Sequence, residues 1–307
     1  MKTHLAPLLA TAPLLLTASA PSATIEVPAD QPTIQAAINA ALDGDEVVVS
    51  PGTYDESIDF LGKAITVRST APEDPAVVVA TMLVLVGEGS VVRCVRGETA
   101  TSILAGFVIS SGSAASEVGQ GGFGGGMLVV GSSPTVQLCT FYSNAANQGG
   151  AISLTDSTST ISRCTFSGNL TFGDGGALHA AKSTIAVTDC VFTGNFSTGA
   201  GSAVFASSST VTMTRCLATA NRFGGPVGST VFVGTGSTVT LKDSRVCGND
   251  GEAVGGDPIV DAGGNVVGYV CPPPPPPPPE CVADLNGDGK VNGADLGLLL
   301  ASWGLCD

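Results

Sequence analysis

"RCTFSGN" at 163–169 and "DCVFTGN" at 189–195 are two copies of one pattern, flanked by "LCTFYSN" at 138–144 and "RCLATAN" at 215–221. Cys139, Cys164, Cys190 and Cys216 recur at intervals of 25, 26 and 26 residues, and Asn144, Asn169, Asn195 and Asn221 each follow five residues later. A fifth copy keeps Asn249 and places Ser244 at the Cys position. A fixed period of this length marks a solenoid. The copies are short and β-rich, with no amphipathic run long enough for a helical repeat. Each repeat therefore reads as one coil of an all-β solenoid.

Side chains alternate along a strand, so each Cys faces the same way as the residue two places on: Phe141, Phe166, Phe192 or Ala218. Stacked coil on coil, the Cys position makes a buried column of reduced thiols, because a free Cys packs as a small apolar residue. The Asn position reads as a structural ladder, since Asn tolerates a left-handed turn and its amide can bond its neighbour along the stack. A second strand opens each coil in "GGMLVV", "GGAISL", "GGALHA", "GSAVFA" and "GSTVFV". Its core positions are expected at Leu128/Val130, Ile152/Leu154, Leu178/Ala180, Val204/Ala206 and Val231/Val233, with Val129, Ser153, His179, Phe205 and Phe232 outside. The residue before each Cys reads Leu138, Arg163, Asp189, Arg215 and Asp243. Coils lie about 4.8 Å apart, so these alternating signs can pair, each exposed pair contributing under about 1 kcal/mol.

Upstream, "TSILAGFVISSG" at 101–112 reads as a degenerate coil. Within 30–69, Ile34, Ala37, Ile38 and Ala41 share a helical face after Thr33, and Gly44 is expected to stop the helix. Strands are expected at 47–49, 57–60 and 65–67. A short amphipathic helix here would cover the open end of the solenoid.

The charge balance excludes some partners. With 12 Lys+Arg against 26 Asp+Glu and a net charge of −14, the chain has no clustered basic footprint for nucleic acid. Residues 1–23 read as a secretory signal: Lys2, an apolar Leu/Ala stretch broken by Pro7 and Pro13, and small residues at Ala18-Ser19-Ala20 or Ala23 for cleavage. No later stretch is long and apolar enough to span a bilayer. The expected location is extracellular or at the cell surface.

The segments "IQAAI", "DGDEVVVSPGTY" and "GKAITVRS" resemble the first coils of right-handed parallel β-helix proteins of the pectate-lyase-like superfamily. "FYSN", "FSGN" and "FTGN", with "GGAI" and "GGAL", are similar to the FxxN and GGA[ILV] repeats of polymorphic outer membrane proteins, which are adhesins. These resemblances imply a right-handed parallel β-helix over 24–271 with an N-terminal capping helix.

After a linker at 272–280, whose eight prolines Pro272–Pro279 make a stiff spacer of about 25 Å, "DLNGDGKVNGAD" at 284–295 resembles the calcium repeat of dockerin modules. The resemblance implies Ca²⁺ held by Asp284, Asn286 and Asp288, the Lys290 carbonyl, Asn292 and Asp295, with Gly289 at the sharp turn. A module over 281–307 would then attach the chain to a cohesin-like or other cell-surface protein. Cys281 and Cys306 flank it as one expected disulfide; Cys247, which falls outside the thiol column, and Cys271 form another.

Enzymes on this fold imply paired carboxylates or a basic Brønsted base on an outward sheet. The regular coils offer mostly Ser, Thr and Ala there. Asp174 and His179 are the catalytic candidates, with Asp156 and Lys182 beside them. Asp55, Glu56 and Asp59 make an acidic cluster read as solvated turn charges. His179, Phe205 and Phe232 form a possible ligand stripe for sugar rings, with the loop 113–125 as its possible cover. A non-catalytic adhesion or glycan-binding solenoid is the preferred reading. The alternative is a polysaccharide lyase, glycoside hydrolase or esterase delivered by the tail.

Overall fold

A computed structural model describes residues 22–114, 122–225 and 228–271. The expected linker, the calcium module with Cys281 and Cys306, and all but the last two residues of the expected signal peptide lie outside them. The described chain winds into three long parallel sheets of ten, nine and eight strands and a short fourth sheet of four. Every strand pairs with its equivalent in the next coil, as in Ile152–Thr155 on Leu178–Ala181 and Thr165–Ser167 on Val191–Thr193.

In-register parallel stacking turns each inward position into a column. One wall of the core runs Val47, Val67, Leu104, Val136, Ile161, Val187, Met213 and Leu241, all buried. Opposite, Phe141, Phe166 and Phe192 stack at 5.2 and 4.7 Å between centroids. The degenerate coil at 101–112 supplies Ile103–Ala105 and Val108–Ser110 to two of the sheets.

The second strand of the first regular coil departs from the expected register by one residue. Met127 pairs with Ile152 and Val129 with Leu154, so Met127 and Val129 enter the core. Leu128 takes the outward column, and Val130 is exposed. The cause is the run Gly124-Gly125-Gly126, in which Gly126 occupies the place of Ala151. In the following coils the expected alternation is the observed one.

Four corners per coil are closed by left-handed residues. Leu138, Arg163, Asp189, Arg215 and Asp243 form one such column, with φ between 49° and 57°. Asp156, Lys182 and Ser208 form a second, and Ser143, Gly168, Gly194 and Ala220 a third. The Asn of the ladder is therefore not the left-handed residue, as its chemistry suggested; the residue before it is. In the "GG" pairs, Gly149 and Gly175 take φ of 66° and 73°. A Cβ on Gly150, which follows, would lie 2.4 Å from the Gly176 carbonyl oxygen.

Behind three of these corners stands a polar ladder. Asn169 N–H donates to Asn195 Oδ1 at 3.1 Å, Ser183 N–H to Ser209 Oγ at 3.0 Å, and Cys216 N–H to Ser244 Oγ at 3.0 Å. The Cys column stands at the same corner, where the Cys164 and Cys190 thiols each donate to a carbonyl two residues earlier at 3.3 Å. Cys94, Cys139, Cys164, Cys190 and Cys216 are buried free thiols, and burial pushes Cys94 and Cys164 well above their ordinary value. Cys247 and Cys271 are joined by a disulfide.

At the N-terminal end, helix α1 (Ile34–Ala40) buries Ile34, Ala37 and Ile38. Thr33 caps its start, and the Glu56 carboxylate accepts from the Ile34 and Gln35 N–H groups at 2.9 Å. Lys63 Nζ satisfies the carbonyls of Ile38, Asn39 and Ala41 at the other end. The helix stops at Ala40 with Ala41 extended, and Gly44 forms the next turn instead. A second helix, α2 (Pro75–Ala80), was not foreseen; its signal is Asp74 as N-cap followed by Pro75.

The Asn ladder gives a test of this architecture. The Asn195 side chain accepts from the Asn169 N–H and Nδ2 and donates to the Phe166 carbonyl and Asn221 Oδ1. Asn195→Ala strands these buried groups and is expected to cost about 3 kcal/mol or more. Asn249→Ala, at the half-buried end of the ladder, is expected to cost about 1 kcal/mol. Urea unfolding of the two variants measures the difference.

Candidate functional site

The eight-stranded sheet carries the stripe singled out in the sequence. Its outward column reads Arg93, Leu128, Ser153, His179, Phe205, Phe232 and Gly255 in successive coils. His179 and Phe205 stack at 5.3 Å with planes 4° apart, and Phe205 and Phe232 at 5.4 Å with the same tilt. Phe123, from the segment considered as a cover, lies 6.3 Å from His179 at 38°. A sugar-stacking platform needs an open ring face. Here Phe205 is stacked between His179 and Phe232, so along this run the stripe turns ring edges outward. His179 is 5 % exposed and Ser153 is fully buried.

Burial lowers His179 from its ordinary 6.5 to about 4, with Asp174 pulling weakly the other way. The imidazole is therefore neutral near pH 7. Its Nδ1 lies 3.4 Å from Ser153 Oγ, a pairing that resembles a nucleophile and base. Asp174, the other catalytic candidate, spends its Oδ1 on the Ala200 N–H at 2.7 Å. Asp156 and Lys182 are corner residues with left-handed backbone.

The acidic cluster is built into turns rather than simply solvated. Glu56 caps α1, Asp55 Oδ1 accepts from Val86 N–H, and Asp59 accepts from Leu61 N–H and pairs with Arg96 at 3.3 Å. Glu98, which no motif flagged, is 2 % exposed. It accepts from Gly62 N–H, Arg96 N–H and the Ser132 hydroxyl, and these bonds hold its pKa down against the burial that raises it.

Of the alternating corner charges, Arg215 and Asp189 pair through two bonds of 2.7 Å. Arg163 instead reaches Glu73 at 2.9 Å. Beside that pair, a cleft of about 240 Å³ lies between α2 and the corner, with Pro72, Val78, Val79, Leu138 and Thr165 in its lining. Sequence reasoning missed it because α2 has no counterpart in the repeat. Among the described residues no group of three His, Cys, Asp or Glu side chains is placed to hold a metal. The calcium set of Asp284 to Asp295 lies outside them.

His179 generates a pH prediction. An unfolded His binds a proton below about 6.5, whereas the folded one does so only near 4. Stability is therefore unaffected by this residue above pH 6.5 and falls as pH drops from 6.5 to 4, by up to about 3 kcal/mol. His179→Phe, which continues the ring stack, is expected to flatten that part of the profile. Urea midpoints at pH 7 and pH 4.5 check it.

The described helices include none long and apolar enough to cross a membrane. A family model for the right-handed β-helix region matches residues 105–267. No curated protein matches the chain. Among solved structures, pectin methylesterase from carrot is similar at 10 % identity, with 81 % of this chain and 87 % of that one covered and a TM-score of 0.41. Pectin methylesterase from Aspergillus niger is similar at 13 % identity, with 83 % and 93 % covered and a TM-score of 0.45. At such identities the likeness is one of fold alone. The resemblances to adhesin repeats and to dockerin gain no support from these comparisons. The match covers more than half of the sequence and lies within the stacked coils: the chain belongs to the right-handed β-helix family.

Proposed function

We propose that this chain is a secreted, non-catalytic binding solenoid for polysaccharide at the cell surface. One observation carries this reading: the reactive-looking groups are tied into the fold. His179 is buried and neutral, and Asp174, Glu56, Asp59 and Glu98 each hold backbone N–H groups. What the coils offer a partner is their long, regular outer walls. The alternative, a polysaccharide lyase, glycoside hydrolase or esterase, draws on the Ser153–His179 contact.

Both readings meet in one experiment. The purified chain is mixed with insoluble and soluble plant and algal polysaccharides, and bound protein, new chain ends and released acid are measured together. Retention of protein without products is the expected result. Products that vanish in His179→Gln would establish the enzyme instead.

The C-terminal tail is proposed as a calcium-dependent attachment module. Its ligands would be Asp284, Asn286, Asp288, the Lys290 carbonyl, Asn292 and Asp295, oxygen donors at the spacing of a calcium loop. Titration of the full chain with Ca²⁺ is expected to release heat. Asp284→Ala and Asp295→Ala should each weaken binding at least tenfold, and no heat at millimolar Ca²⁺ would refute the assignment.

A further inference from the structure

The ten-stranded sheet presents an outer wall built largely from threonine. Four successive strands in it read TSTIS (Thr158–Ser162), TIAVT (Thr184–Thr188), TVTMT (Thr210–Thr214) and TVTLK (Thr238–Lys242). They pair in register over all five residues. Their even positions point into the core: Ile161, Val187, Met213 and Leu241 are buried. Their odd positions therefore form three outward columns. The first is Thr158, Thr184, Thr210 and Thr238, all exposed. The second is Thr160, Ala186, Thr212 and Thr240, and the third begins at Ser162 and continues through Thr188 and Thr214 to Lys242.

The result is a two-dimensional grid of hydroxyl and methyl groups. Its repeat is about 4.8 Å between coils and about 6.6 Å along a strand. Thr is stiff at χ1, so each hydroxyl–methyl pair is held in a restricted orientation. Within these strands Lys242 alone is charged and no residue is aromatic, although the chain carries −14 overall. Both long edges are locked. On one side Ser157, Ser183 and Ser209 form a hydrogen-bonded ladder at 3.0–3.1 Å. On the other stands the thiol column, closed by Cys216 N–H to Ser244 Oγ.

An irregular or charged partner gains nothing from such a grid. Sugar recognition normally adds aromatic faces and converging polar groups, and this wall has neither. A hydroxyl, by contrast, donates one hydrogen bond and accepts two, and so can stand in for water. A neutral, rigid, periodic array of hydroxyls separated by methyl groups can order water at its own spacing and join that layer to a crystal. We infer that the Thr wall formed by 158–162, 184–188, 210–214 and 238–242 is an ice-binding face, its partner being crystalline water.

This inference stands apart from the polysaccharide reading, and its test separates the two. The full chain, at micromolar concentration, is frozen in a sucrose solution and annealed below zero while ice grain size is followed. A fluorescently labelled sample is presented to a single growing ice hemisphere in parallel. Wild type is expected to hold the grains small and to adsorb to the ice. Thr184→Lys with Thr210→Lys should abolish both effects while keeping the wild-type circular dichroism and melting temperature. Thr184→Val with Thr210→Val keeps the shape of the wall and should retain a reduced effect. Grain growth equal to that with an inert protein, or exclusion of the label from the ice, overturns the inference. So does wild-type ice activity in the folded Lys variant. Binding of the wall to crystalline cellulose or chitin powder, lost in the Lys variant while ice is ignored, would assign the wall to polysaccharide instead.

Discussion

The structure depends on the N–H group that follows the left-handed residue at three of the four corners of each coil. There the chain leaves one sheet for the next, and a side chain of the neighbouring coil receives that hydrogen bond. The acceptor must be short and must recur once per coil, so the position becomes a column of Asn or of Ser, and Ser244 supplies it at the corner of the Cys column. A buried N–H left alone costs about 1–3 kcal/mol, and each column repeats the demand down the stack. This explains why Asn144, Asn169, Asn195 and Asn221 are fully buried although Asn is ordinarily a surface residue. It also explains why Ser244 can take a Cys position without breaking the line, since its Oγ accepts from the Cys216 N–H.

The same constraint limits what chemistry the solenoid can perform. Many of the polar side chains inside the solenoid are committed to the backbone. The acids near the N-terminal end show this most clearly: Glu56 completes a helix cap, and Glu98 gathers three donors around one buried carboxylate. Groups free to meet a partner are left on the outward faces of the sheets. There in-register stacking multiplies whatever one coil displays, so rings stack on rings and threonines line up in columns. Function in such a molecule is carried by repetition across a wall more readily than by a few converging residues.

Much of this was legible in the sequence because one physical rule governs both. The Cys-to-Asn spacing, the Phe two places after Cys and the aliphatic alternation each follow from a strand period of two and a constant coil length. Those signals yield the solenoid, its core and its buried thiol column. The register of the first coil was misread by one residue, because three consecutive glycines gave no side chain to anchor the alignment. Helix α2 escaped because it interrupts the repeat, and its capping pair is only two residues long.

The aromatic stripe marks the boundary between the two kinds of information. The constant coil length alone puts Ser153, His179, Phe205 and Phe232 in one column, since residues one coil apart must stack. What that column presents follows from packing in the folded molecule. Rings at coil spacing turn parallel and cover one another's faces, and Phe123 comes in from a segment outside the repeat. Periodicity is local and therefore visible in a chain. Ring orientation, burial and the lowered pKa of His179 depend on neighbours that no spacing rule names.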